Sequence, residues 1–120
     1  MTEISDEYMR DALSRSRTYS LVLLRGLPPL DDPANRPIVW EHGRRNFALR
    51  AEGKLVLVGP VDGDADVVGI GVFDLPVEET RAVMADDPGV RAGLFSVEVL
   101  PWRSFPGDGL PSGGIGSAAG

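Results

Sequence analysis

Residues 67–100 read VVGIGVFDLPVEETRAVMADDPGVRAGLFSVEVL, a strand, a helix and a second strand in close succession. Val67 to Leu75 forms the first of these. Val77 to Ala85 sets Val77, Ala82, Val83 and Met84 at helical spacing, with Glu78 and Glu79 in the first turn, where carboxylates meet the positive end of the helix dipole. Asp86, Asp87, Pro88 and Gly89 break that helix, a short turn runs through Arg91, and Leu94 to Leu100 alternates as LFSVEVL.

The upstream sequence has the same plan. Tyr19 to Arg25, YSLVLLR, reads as a strand buried on both faces, closed by Gly26 and the turn-rich LPPLDDP. Pro33 and Pro37 confine the next helix to about Arg36 through Glu52, because proline is tolerated in a first turn and not in a helix interior; Gly53 stops it. Lys54 to Val58 is a second strand, Gly59 and Pro60 turn the chain, and VDGDAD is a polar hairpin loop. The order βαββαβ predicts an α+β, ferredoxin-like domain over residues 18–103, a four-stranded antiparallel sheet with both helices on one face. The bare face needs cover, which two subunits packed sheet against sheet would provide, so a homodimer is expected.

Outside this domain, residues 1–17 form an extension with a weak helix, capped by Ser5 and placing Tyr8, Ala12 and Leu13 on one side. Residues 104–120 are rich in Gly, Pro and Ser and read as a flexible tail. The 120 residues and ordinary apolar content fit one core.

A formal net charge of −6 argues against nucleic acid, whose binding needs clustered Lys and Arg. Arg44, Arg45 and Arg50 are offset by Glu41 and Glu52 and read as a solvated helix face. The absence of cysteine removes disulfides, thiolate nucleophiles and Cys-ligated metals. No run is long enough to cross a bilayer, and the polar, acidic N-terminus is unlike a signal peptide, so no membrane partner and a cytoplasmic location are expected.

Several landmarks stand in a fixed order: YSLVLLRG, Glu41-His42 on the first long helix, EGKLVLVGP at 52–60, Gly69, ADDPGVRAGLF at 85–95 and VEVLPW at 97–102. Together they resemble the YCII-related (YciI-like) family. The resemblance implies a dimeric α/β barrel, related in architecture to muconolactone isomerase and small cofactor-independent monooxygenases. It also implies a site built on a histidine of the first helix and the aspartate of the Asp-Pro motif, here His42 and Asp87. A member-like domain is associated with dehalogenation of a chlorinated lactone. Three positions depart from the family pattern. Gly89 stands where an aromatic is common, which implies a missing pocket wall; Asn46 replaces a leucine; Ile70 replaces a serine and its hydroxyl.

His42 is the only histidine, so any imidazole chemistry must use it, and an unperturbed imidazole titrates at about 6.5. Its helical position, between Ile38 and Asn46 and close to Leu49, directs it toward the sheet. A buried histidine satisfied by a local hydrogen bond is the competing reading. Asp87 is the expected partner, holding one tautomer and stabilising the imidazolium. An aspartate before proline also serves as a simple helix cap, and Asp86 is the alternative. Asn46, Gly59 and Pro60 are assigned to substrate binding. Asp62, Asp64 and Asp66 lack the rest of a calcium loop and read as hairpin solubilisers. Trp40 and Trp102 are expected in core or dimer packing, and no glycine-rich loop opens a helix in the manner of a phosphate site.

Two functions fit these residues. The first is a cofactor-independent lyase, isomerase or hydrolase on a small cyclic or carbonyl-containing metabolite, with His42 and Asp87 as an acid/base pair. The second is a non-catalytic small-ligand-binding or interaction module with the same barrel. A monooxygenase has no residue specifically in its support.

Overall fold

The computed structural model describes residues 1–116; residues 117–120, the end of the expected tail, lie outside the described residues. It divides into two units, Thr18–Trp102 and a second made of Met1–Arg17 with the chain from Arg103 onward. In the second unit, helix α1 (Asp6–Ser14) is capped by Ser5, whose Oγ accepts from the Tyr8 amide at 3.0 Å, and none of its residues is buried.

The main unit holds β1 (Arg17–Gly26), α2 (Arg36–Ala51), β2 (Leu55–Pro60), β3 (Val67–Phe73), α3 (Val77–Ala85), the single turn α4 (Pro88–Arg91) and β4 (Phe95–Ser104), the terminal residues of β1 and β4 running past its boundaries. The strands lie in the order β2-β3-β1-β4 in one antiparallel sheet, the βαββαβ arrangement expected from the sequence. The register pairs Val22 with Gly71 and Leu24 with Gly69, so large residues of β1 face glycines of β3. Val22, Leu24, Leu55, Phe73 and Val99 from the sheet join Leu49 of α2 and Met84 of α3 in one core. Alternation sends Leu21, Leu23, Ile70 and Leu100 to the other face.

Helix α2 ends as glycine dictates. Gly53 takes φ 77°, its amide reaches Arg50 O at 3.0 Å and the Lys54 amide reaches Leu49 O at 3.1 Å, closing the last turn.

Four details differ from the sequence reading. β1 alternates between buried and half-buried residues, with only the Ser20, Val22 and Leu24 side sealed, so it is not buried on both faces. Gly59 and Pro60 do not turn; they continue β2, paired with Ile70 and Gly69. The turn comes later, around Gly63 at φ 98°. β4 runs to Ser104, well past Leu100. Trp40 is 71% exposed, which excludes core packing for it. No helix among the described residues is long and apolar enough to cross a membrane.

Candidate active site

Asp87 is fixed before any ligand arrives. It caps α4, its Oδ2 accepting from the Gly89 amide at 2.9 Å and the Val90 amide at 3.1 Å, and it is fully buried. The other end of this turn is closed by Gly93 at φ 75°, with the Leu94 amide bonded to Gly89 O at 2.9 Å. A turn defined at both ends leaves the carboxylate little freedom.

His42 projects from the middle of α2 onto that carboxylate. Its Nδ1 is 2.8 Å from both Oδ1 and Oδ2, and its side chain is 11% exposed. A carboxylate only accepts, so Nδ1 carries the proton that is shared with Asp87, and Nε2 of the neutral ring is the free base. One turn along α2, the Asn46 amide nitrogen stands 3.3 Å from Nε2 and donates to it.

Burial pushes the Asp87 carboxyl up, but the hydrogen bond and charge of His42 together with the Val90 and Gly89 amides outweigh it. The net effect holds Asp87 below the usual carboxylate range. Arg45 adds a second cation, Nη1 lying 4.0 Å from Oδ1. That nitrogen is buried without a hydrogen-bond partner among the described residues, so Arg45 does not belong to the solvated face expected for it. Arg44 does, paired with Glu41 at 3.1 Å.

His42 lines a cavity of about 410 Å³ whose walls come from α2, the sheet and Met84 of α3. His42, Asn46, Gly59 and Pro60 all line it, while Asp87 stands behind the imidazole. Asp86 is exposed and ends α3, so it takes no part.

The family model of the YCII-related domain matches residues 21–103. The chain belongs to the YCII-related family. No curated protein matches it significantly.

In this YCII-related chain the wall missing at Gly89 comes from another residue. A Cβ on Gly89 would sit 2.5 Å from Phe95 Cε2, because the Phe95 ring occupies that space. The same ring packs on the imidazole, centroids 4.8 Å apart and planes at 42°. Sequence reasoning placed Phe95 in a strand and gave it no part in the site. The available signal was the pairing of a small residue after Asp-Pro with an aromatic opening the next strand.

Proposed function

We propose that this YCII-related protein performs cofactor-independent acid/base chemistry on a small cyclic or carbonyl-containing molecule, with His42 as the proton-transfer group and Asp87 as its orienting partner. The observation that carries this reading is the setting of the imidazole: Nδ1 is held by a buried carboxylate, and the same ring lines an apolar cavity. An imidazole serving only as a core side chain has no need to line a cavity with an unprotonated nitrogen that only an exchangeable amide, Asn46, contacts. Asp87 keeps the proton on Nδ1 and stabilises the cation formed when Nε2 takes a second proton. Lyase, isomerase and some hydrolase reactions all begin or end with such a transfer.

The reading is tested by incubating enolisable ketones and lactones with the protein in D2O and following deuterium uptake or rearrangement by NMR. His42→Ala is expected to lose about 10²–10⁴-fold in rate, the range of a positioned acid/base group. Asp87→Asn keeps the shape but can no longer hold the same tautomer, and is expected to lose less. Equal rates in wild type and His42→Ala would leave only the binding-module function.

The active form is proposed to be a homodimer. The apolar outer sheet face, with Ile70 and Leu100 exposed, supports this, because two such faces packed together remove that surface from water. Light scattering at micromolar concentration is expected to give twice the chain mass. A monomer with no concentration dependence would refute it.

A further inference from the structure

The lining of the cavity restricts what can enter it. Among the described residues, His42 and Asn46 supply its only polar side chains, and no lining side chain carries a fixed charge. Arg45, the cation beside the dyad, is outside the lining and directed at Asp87. A carboxylate or phosphate drawn into such a space would lose its hydration without gaining a counter-charge, which disfavours it strongly. The net charge of −6 on the chain opposes anions further.

The two polar groups have a definite relation. Nδ2 of Asn46 is a donor with two hydrogens, one directed at Nε2 of His42 from 3.3 Å. In a carbonyl compound the oxygen and the acidic α-hydrogen lie on neighbouring carbons. A molecule that presents both at once therefore needs a donor and a base side by side, as Nδ2 and Nε2 are.

We propose that the cavity takes an uncharged substrate with one enolisable carbonyl group, whose oxygen is held by the Asn46 side-chain amide while His42 Nε2 faces the adjacent carbon. This rests on the acid/base reading above. The substrate oxygen takes over the Asn46 N–H from Nε2, and the Nε2 lone pair so released removes the α-proton; the C–H electron pair becomes the enolate π bond, and the negative charge that develops on oxygen is met by the Asn46 N–H. Where the enolate is conjugated with a C=C bond, the imidazolium, stabilised by Asp87, returns its proton to the γ-carbon and the π electrons shift to match, giving an isomer. Where a leaving group stands at the β-carbon, it departs with its electron pair and the result is an elimination. No oxidant or metal is consumed.

The inner wall also shows a steric preference. Gly69 and Gly71 face the cavity from β3, and a Cβ on Gly69 would meet Leu24 Cδ1 only at 3.5 Å, an ordinary contact. Space at Gly69 is thus left to the ligand and not demanded by packing.

The test uses 3-methylcyclohex-2-en-1-one as the neutral probe and cyclohexanecarboxylate as an anion of similar size. The Met84 methyl signal, which reports from the cavity lining, is followed in each titration. The enone is expected to shift it and the carboxylate to leave it unmoved at the same concentration. Asn46→Leu is expected to weaken the enone about fivefold, the value of one hydrogen bond. Asn46→Leu should also slow α-deuterium uptake, while His42→Ala keeps enone binding and loses the uptake. Carboxylate binding as tight as the enone's, no enone binding at its solubility limit, or unchanged affinity and exchange in Asn46→Leu would each overturn the proposal. Failure of the acid/base reading gives a different pattern: enone binding that depends on Asn46, with no more exchange in wild type than in His42→Ala. That pattern confirms the carbonyl seat and removes the reaction.

Discussion

Two charged clusters in this protein use the same chemistry in opposite surroundings. At the surface, Arg25 of β1 reaches Asp66 at 3.1 Å and Glu98 of β4 at 2.9 Å, but its partners' side chains are 78% and 45% exposed. In the interior, His42 and Asp87 meet at 2.8 Å with the carboxylate wholly enclosed. Water competes for each contact of the first cluster and for almost none in the second, so similar distances represent very different energies. The buried carboxylate is also over-determined by the imidazole and two backbone amides. Such enclosure costs stability unless every partner is present, which is why the comparison is best probed by removing partners one at a time.

The largest effect is expected from Asp87→Ala, which removes the α4 cap and leaves His42 and Arg45 facing an empty carboxylate site. A loss of about 3–5 kcal/mol by chemical denaturation is expected, as for other broken buried pairs. A loss no larger than that of a surface charge would abolish the distinction between the clusters. The acid limb sharpens it. Because the folded carboxyl titrates below its unfolded value, its contribution is complete above the unfolded pKa of about 4 and is lost as pH falls through the lowered folded value. Wild type should therefore lose stability below about pH 4 more steeply than Asp87→Asn, measured by denaturation at stepped pH.

A smaller effect is expected at Gly89, where the buried turn meets Phe95. Gly89→Ala forces its new methyl against the Phe95 ring and should cost about 1–3 kcal/mol, the usual range for overpacking. In a Phe95→Ala background that added cost should vanish, a coupling that a double-mutant cycle reads directly. Additive losses would show that the ring does not fill the place of a residue-89 side chain.

These features differ in how far the sequence revealed them. The element order was legible because each helix carries its own stop signal, and His42 and Asp87 were legible because one is the lone histidine and the other sits in an Asp-Pro turn. What was missed has a common physical cause. The sequence reading gives Pro60 to a turn and takes the last strand to Leu100, yet Pro60 and Pro101 both sit inside strands. β2 and β4 are the two edges of the sheet, where a proline can point its missing N–H outward without breaking a ladder bond. Edge position is a property of the assembled sheet and cannot be seen in a local stretch. Phe95 was missed for a similar reason, since its approach to His42 joins residues 53 positions apart, from α2 and β4.

The smallest effect is expected in the surface cluster. Glu98→Gln leaves the shape of the β4 side chain and removes one of the two acids held by Arg25. Hydrogen bonding to Glu98 raises the Arg25 guanidinium pKa, opposed by a smaller desolvation, but arginine is already fully protonated at every working pH. The shift therefore carries no pH dependence. Asp66 remains to pair with the guanidinium, and water takes the place that Glu98 leaves. The thermal midpoint of Glu98→Gln should match wild type within the scatter of repeat melts, at low and high salt alike. Any difference confined to low salt would show residual Coulomb attraction that ions screen. A large loss that persists in high salt would mean that the β1–β4 edge depends on this contact, and that exposure alone does not separate the two clusters.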